Sequence, residues 1–285
     1  MSLALVGTSI KRLNLANCGI DAAALGFLPE APADVAGAKS TKATRYSLSN
    51  SAVISLRTLN LSGNPITNSE PFISIALENY APRDLRYPSS PRDITHGGMA
   101  IDVTLDQDLQ GFQRLCHAAS KAQQLTRLDL SSCGLGPAAL DVLRTELTWP
   151  NTITVLCIND NPGLLGRMDA HGKVAEADVN RTGWKLFCAV LTHSRLGELQ
   201  LREVGMGPAC LATLAGLLEC KRPDPTPFSS SLTTLDLSEN FLFGSEPLNA
   251  RVDGSGPRRQ TPDKDQTGWY ALCSTIPLAM VRSTS

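Results

Sequence analysis

One pattern constrains this chain more than any other. An apolar residue is followed by a second three positions on, a third two beyond that, then Cys, Asn or Val after three more. It occurs six times, as Ile10-Leu13-Leu15-Cys18, Leu56-Leu59-Leu61-Asn64, Leu125-Leu128-Leu130-Cys133, Ile153-Leu156-Ile158-Asn161, Leu196-Leu199-Leu201-Val204 and Leu232-Leu235-Leu237-Asn240. Apolar side chains two apart lie on one face of an extended strand. A strand this short buries little by itself, so each copy must stack on the next and share a continuous core. The reading is one parallel strand per repeat, starting near residues 10, 56, 125, 153, 196 and 232, with a partial seventh repeat from about 266 and a single domain over 1–285.

The repeats alternate. In the odd ones Gly19, Gly134 and Gly205 follow the last patterned residue, and Pro137 and Pro208 stand where a helix would begin. Proline suits the first helical position because its missing N–H would have had no partner there. Leu140, Leu143 and Leu147, and likewise Leu211, Leu214 and Leu218, then recur at helical spacing. The even repeats turn at Asn64-Pro65, Asn161-Pro162 and Asn240-Phe241. An asparagine amide can bond backbone groups inside such a turn. A polar stretch then leads to Gly111-Phe112, Gly183-Trp184 and Gly268-Trp269, with Cys116, Cys188 and Cys273 at matching places. Trp184, Phe187, Cys188 and Leu191 make one helical stripe, so Trp184 and Trp269 read as core anchors rather than as a ligand-binding pair.

The step from Leu125 to Ile153 is the bare unit of 28 residues. Longer steps carry insertions, at about 67–107, 165–180 and 243–264 after even strands and 30–52 and 221–230 after odd ones. Insertions at matching points of a repeat fall on one rim. Phe72, Ile75 and Ala76 predict a short helix within 71–81.

Alternating Cys-type and Asn-type units resemble the ribonuclease-inhibitor-like subtype of the leucine-rich repeat family. The irregular insertions and aromatic-led helices are similar to the leucine-rich repeat domain of the CARMIL actin-regulator family. The resemblance runs from Ile10 to about Val281. It implies an α/β solenoid shaped as a horseshoe, with a parallel β-sheet on the concave face, helices on the convex face and about six repeats with rim insertions. It also implies a non-catalytic protein–protein interaction scaffold. The basic capping-protein-binding tail of the CARMIL family has no counterpart here. Val204 replaces the expected Cys, and Gly163 occupies an apolar position with Leu164 one step late.

Residues between the patterned leucines point to the concave side, because strand side chains alternate. The first three strands place Lys11, Arg12, Arg57 and Arg127 there against Asp129. The last three place Asp160, Glu198, Glu203, Asp236 and Glu239 against Arg202. Six strands at about 4.8 Å spacing span roughly 25 Å, well beyond the screening length of about 8 Å at physiological salt. The two ends therefore act as separate patches. The predicted partner-binding set is Lys11, Arg12, Asn14, Arg57, Asn60, Arg127, Asp129, Thr154, Val155, Cys157, Glu198, Gln200, Arg202 and Asp236. Thr154, Val155 and Cys157 form its uncharged centre, in keeping with the depletion of charge from interface cores. Cys157 is expected to be exposed unless a neighbouring loop covers it, and no cation adjoins it in its own strand.

Composition narrows the function classes. The chain is 42% hydrophobic with net charge −1, which gives no general attraction to nucleic acid or membrane. No apolar run approaches the length of a membrane span. Of the eight cysteines, Cys18, Cys116, Cys133, Cys188 and Cys273 recur by repeat geometry and read as buried small hydrophobes, which points to a reducing, cytoplasmic compartment. His96, His117, His171 and His193 lack metal-ligand spacing, and His117 and His193 are expected at helix ends. No phosphate-binding loop, nucleophile elbow or zinc-protease motif is present, and no cofactor is expected.

An alternative from another class is a GTPase activator, since some Ran GTPase-activating proteins are leucine-rich repeats of the helical subtype. Asn14, Asn60 and Arg127 would be the residues to act. At the C-terminus Pro277 is expected to interrupt the last helix, with a further strand near Val281. The expectation is a monomer, or a fragment or shortened relative of a longer repeat protein.

Overall fold

The computed structural model describes residues 10–25, 56–69, 104–147, 152–168, 174–219, 232–244 and 264–282. The expected helix at 71–81 and most of the insertions lie outside the described residues. The strands are β1 (Arg12–Asn14), β2 (Thr58–Asn60), β3 (Arg127–Asp129), β4 (Val155–Cys157), β5 (Arg167–Met168), β6 (Val174–Glu176), β7 (Glu198–Gln200) and β8 (Thr234–Asp236). Six of them form one parallel sheet in the order β1-β2-β3-β4-β7-β8. Its register aligns Leu13, Leu59, Leu128, Leu156, Leu199 and Leu235, the middle leucine of every repeat. The expected α/β solenoid is therefore the observed fold.

Among the described residues six helices follow the strands: α1 (Ala22–Leu25), α2 (Gln110–Lys121), α3 (Pro137–Glu146), α4 (Arg181–Leu191), α5 (Pro208–Glu219) and α6 (Thr267–Arg282). They pack on one another in chain order. Pro137 and Pro208 open their helices as the sequence suggested. Phe112, Leu140, Leu143, Trp184, Phe187, Leu211 and Leu214 join the strand leucines in one core.

The even-repeat asparagines are clamps between repeats. Asn161 is fully buried. Its Oδ1 accepts from the N–H groups of Cys133 (3.1 Å) and Leu135 (3.0 Å) in the preceding repeat. Its Nδ2 donates to the carbonyls of Leu130, Ile158 and Asn159. Asn64 makes the same set with Cys18, Ile20, Leu15, Leu61 and Ser62. Asn240 repeats it with Val204, Met206, Leu201, Leu237 and Ser238. The turn role read from the sequence is thus correct but incomplete, since each amide also binds the repeat before it.

A second device joins even repeats to the odd repeats that follow. Asp106, at the end of one insertion, accepts from the N–H groups of Gly136, Ala138 and Ala139 at the start of α3. Asp178 does the same for Gly207, Ala209 and Cys210 at the start of α5. A carboxylate here satisfies first-turn donors and faces the positive end of the helix. Glycine is required before each proline, because a Cβ on Gly136 or Gly207 would stand 2.6 Å from the capping carboxylate.

Several expectations are corrected. Residues 165–180 are not all loop, since β5 and β6 pair as an antiparallel ribbon. Buried Leu165 holds the base of that ribbon, its carbonyl accepting from Val179 and Asn180. Gly163 is apolar-compatible because Leu105 fills the space where its Cβ would be. Cys18, Cys273 and Trp269 are exposed rather than buried. All three belong to the first or last repeat, outside which no described repeat stacks. Trp184 is fully buried and its indole N–H reaches forward to the Cys210 carbonyl at 2.9 Å, whereas Trp269 is 37% exposed and rests on Phe243. His117 lies inside α2, not at its end. α6 runs through Pro277 and includes Val281, where a break and a strand were expected. A proline removes one helical N–H bond, and the turns on either side carry the helix across it.

Candidate interaction face

The side chains that point away from the core form rows across the sheet. One row is Arg12, Thr58, Arg127, Val155, Glu198 and Thr234, and the next is Asn14, Asn60, Asp129, Cys157, Gln200 and Asp236. Ten of the fourteen predicted residues stand in these rows, while Lys11, Arg57 and Thr154 precede their strands and Arg202 follows β7, and the members do different work.

Asn14, Asn60, Asp129 and Asp236 close the turns that leave their strands. Each Oδ1 accepts from the N–H two residues on, at Ala16, Ser62, Ser131 and Ser238, over 2.9–3.1 Å. The bonds from the Ser238 hydroxyl and N–H hold the Asp236 carboxyl below the usual carboxylate range. Position eight of every repeat takes a left-handed backbone, at Asn17, Gly63, Ser132, Asp160, Glu203 and Glu239. This turn carries three acidic side chains in succession from the fourth repeat onward, at a backbone conformation that favours Gly, Asn or Asp.

At the centre, Cys157 is buried, contrary to expectation. Its cover comes from the neighbouring strand, where Arg127 donates from Nη2 to Cys157 Sγ at 3.2 Å and lies 3.7 Å from Glu198. Burial pushes the thiol up to about 12, with Asp129 adding to the shift and Arg127 opposing it. Gln200 donates to Glu198, and Asn159 donates to Gln200 at 2.9 Å. Asn159 Oδ1 also accepts from the Arg202 N–H. Asn159 is absent from the predicted set although it shares the repeat position of Arg202, and it links Gln200 to the turn that carries Arg202.

Arg202 lies 3.4 Å from Asp160 and 3.4 Å from Glu239. Neither Asp160 Oδ1 nor Arg202 Nε, both buried atoms, makes a hydrogen bond. Burial is the main reason the Asp160 carboxyl is raised, with Arg202 opposing and Glu203 and Glu239 adding. At the other end Lys11, Arg12 and Arg57 are exposed. Among the described residues no carboxylate pairs with them.

The Arg127 guanidinium needed by a GTPase activator is engaged by Cys157 and Glu198. Among the described residues no group of three or more His, Cys, Asp or Glu is placed to hold a metal ion. Among those residues, too, no helix is long and apolar enough to cross a membrane.

Two family models match the chain, one described as Leucine Rich Repeat over residues 55–75 and one as Leucine Rich repeat over residues 121–143. They cover the strands of the second and third repeats. No curated protein matches the chain.

Proposed function

We propose that this leucine-rich repeat solenoid is a non-catalytic protein-binding module that uses the open face of its parallel sheet, flanked by the even-repeat insertions. The observation that carries the reading is the unbroken register of six strands, which sets on one continuous surface two rows of side chains that are polar or charged except at Val155 and Cys157. Extended faces of this kind are what solenoids use to bind partners. Cys133 and Asn161 on alternate repeats, each followed by a helix, support the ribonuclease-inhibitor-like subtype. Among the described residues no cysteine is paired in a disulfide, which supports a reducing, cytoplasmic setting.

The test is site-directed photo-crosslinking in cells. A photoreactive amino acid at exposed Thr154 on the sheet is compared with one at exposed Lys185 on α4. Capture of one protein partner through Thr154 and not Lys185 is the expected result. Equal capture, or capture through Lys185 alone, would sink the assignment of the sheet as the binding face.

A further inference from the structure

The exposed cations of the sheet are gathered on its first two strands. Lys11 and Arg57 occupy the same position of adjacent repeats, and the Lys11 carbonyl accepts from the N–H groups of Arg57 and Thr58 at 2.7 and 3.0 Å. Their backbones are therefore one strand spacing apart, about 4.8 Å. Arg12 follows in the next row. Asn14 and Asn60 stand beside them, their Oδ1 atoms used in their own turns. The cations further along meet acids of the same sheet: Arg127 has Glu198, and Arg202 has Asp160 and Glu239. The C-terminal half thus holds one arginine among Asp160, Glu203, Asp236 and Glu239, while the N-terminal edge keeps a compact group of cations.

We propose that the open face of β1 and β2 binds a short acidic peptide segment of a partner protein, whose acids cluster at one end. This rests on the reading of the sheet as the binding face. A segment with carboxylates over Lys11, Arg12 and Arg57 is attracted there, and its continuation along the sheet must be neutral or basic. Two strand spacings, roughly 10 Å, separate Arg57 from the repeat that carries Asp160. That is close to one screening length, about 8 Å, so an anion that extends past the third strand meets repulsion. Duplex DNA carries one charge per about 1.7 Å of axis and would set phosphates against Asp160, Glu203 and Glu239. The acidic half therefore excludes long polyanions and fixes which way the segment lies. Charge arranged in this manner selects partner and orientation more than it adds affinity.

The experiment is fluorescence anisotropy with the full chain and three labelled probes. The first is a peptide with glutamates grouped at one end and lysines at the other. The second has the same composition with the charges alternating, and the third is a single-stranded oligonucleotide. The grouped peptide is expected to bind about tenfold or more tighter than either of the others, with affinity falling as salt rises. The variant carrying Lys11→Glu and Arg57→Glu is expected to lose that preference while its circular dichroism and melting stay unchanged, since both side chains are exposed. Equal binding of the two peptides would overturn the proposal, as would a preference unchanged in the variant or no binding of either peptide. Tighter binding of the oligonucleotide would overturn it in favour of nucleic acid. Each of these failures leaves the Thr154 crosslinking result standing, so the loss of the charge reading is distinguishable from the loss of the binding face.

Discussion

Replacing Asn161 by alanine tests the clamp on which the solenoid depends. The side chain is fully buried and bonds five backbone groups of two repeats, at Cys133, Leu135, Leu130, Ile158 and Asn159. Alanine leaves the Cys133 and Leu135 N–H groups buried without an acceptor. Each orphaned buried donor costs about 1–3 kcal/mol, so the variant is expected to lose about 2–6 kcal/mol. Loss of the donors to the three carbonyls adds less, because a carbonyl has a second lone pair through which it can be satisfied. Asn161→Asp separates the two halves of the clamp. It keeps an acceptor for the two N–H groups but sets a buried carboxylate against carbonyl oxygens, so it should be no more stable than the alanine variant at neutral pH and should recover on acidification. Asn240→Ala is the internal control, because the same bonds there are partly exposed and water can replace them. Urea unfolding followed by circular dichroism gives all three differences. If Asn161→Ala falls within about 1 kcal/mol of the parent chain, or matches Asn240→Ala, the clamp is not what joins these repeats.

Other consequences are as direct. Asp178→Ala removes the acceptor for three N–H groups at the start of α5, and a loss of about 2 kcal/mol is expected in urea unfolding; Gly207→Ala should approach it, and a neutral result for both would discount the cap. Cys157 should be alkylated at neutral pH only after Cys18 and Cys273, because burial holds its thiol at about 12 while the other two are exposed; labelling of Cys157 at the rate of Cys273 in a timed mass-spectrometric pulse would contradict its cover by Arg127. Asp160 gives a pH dependence with a definite sign. Its folded-state carboxyl is raised, so protonation favours the native state, and that contribution is present at low pH and lost as pH rises through the raised value. Unfolding at neutral and mildly acidic pH should show the parent chain gaining on Asp160→Asn as pH falls; the opposite trend would mean that Arg202 dominates.

The strands were legible because period-two burial is a local signal: Leu13, Leu59, Leu128, Leu156, Leu199 and Leu235 declare their face without reference to any other repeat. Pro137 and Pro208 marked helix starts for a reason equally local. What escaped was reach between repeats. Asp106 and Asp178 cap helices 30 or more residues away across the chain. A signal for them exists nonetheless, since each stands five residues before Gly111 or Gly183 and answers a Gly-Pro pair in the next repeat. Strand alternation correctly turned Cys157 outward, but its cover is a long arginine from the adjacent strand, which the pattern of a single strand does not contain. For the same reason the charge count overstated the basic end, because Arg127 is matched by Glu198 two strands on.

The two kinds of junction explain how this sheet tolerates insertions of such different length. Odd and even repeats are joined by asparagine clamps within the turn, which need no insertion at all. Even and odd repeats are joined by aspartate caps, which stand at the far end of an insertion. The insertion between Ser69 and Asp106 is pinned at both ends, by the bond from the Asp106 N–H to Ser69 Oγ at 2.9 Å and by the bonds of Thr67 and Ser69 to the Gly134 carbonyl. The shorter insertion before Asp178 is pinned by the Leu165 carbonyl. Once its ends are fixed, doubling the length of a loop costs only about 0.6 kcal/mol. Loop length and sequence can therefore change with little effect on register, and the sheet face keeps its charge order.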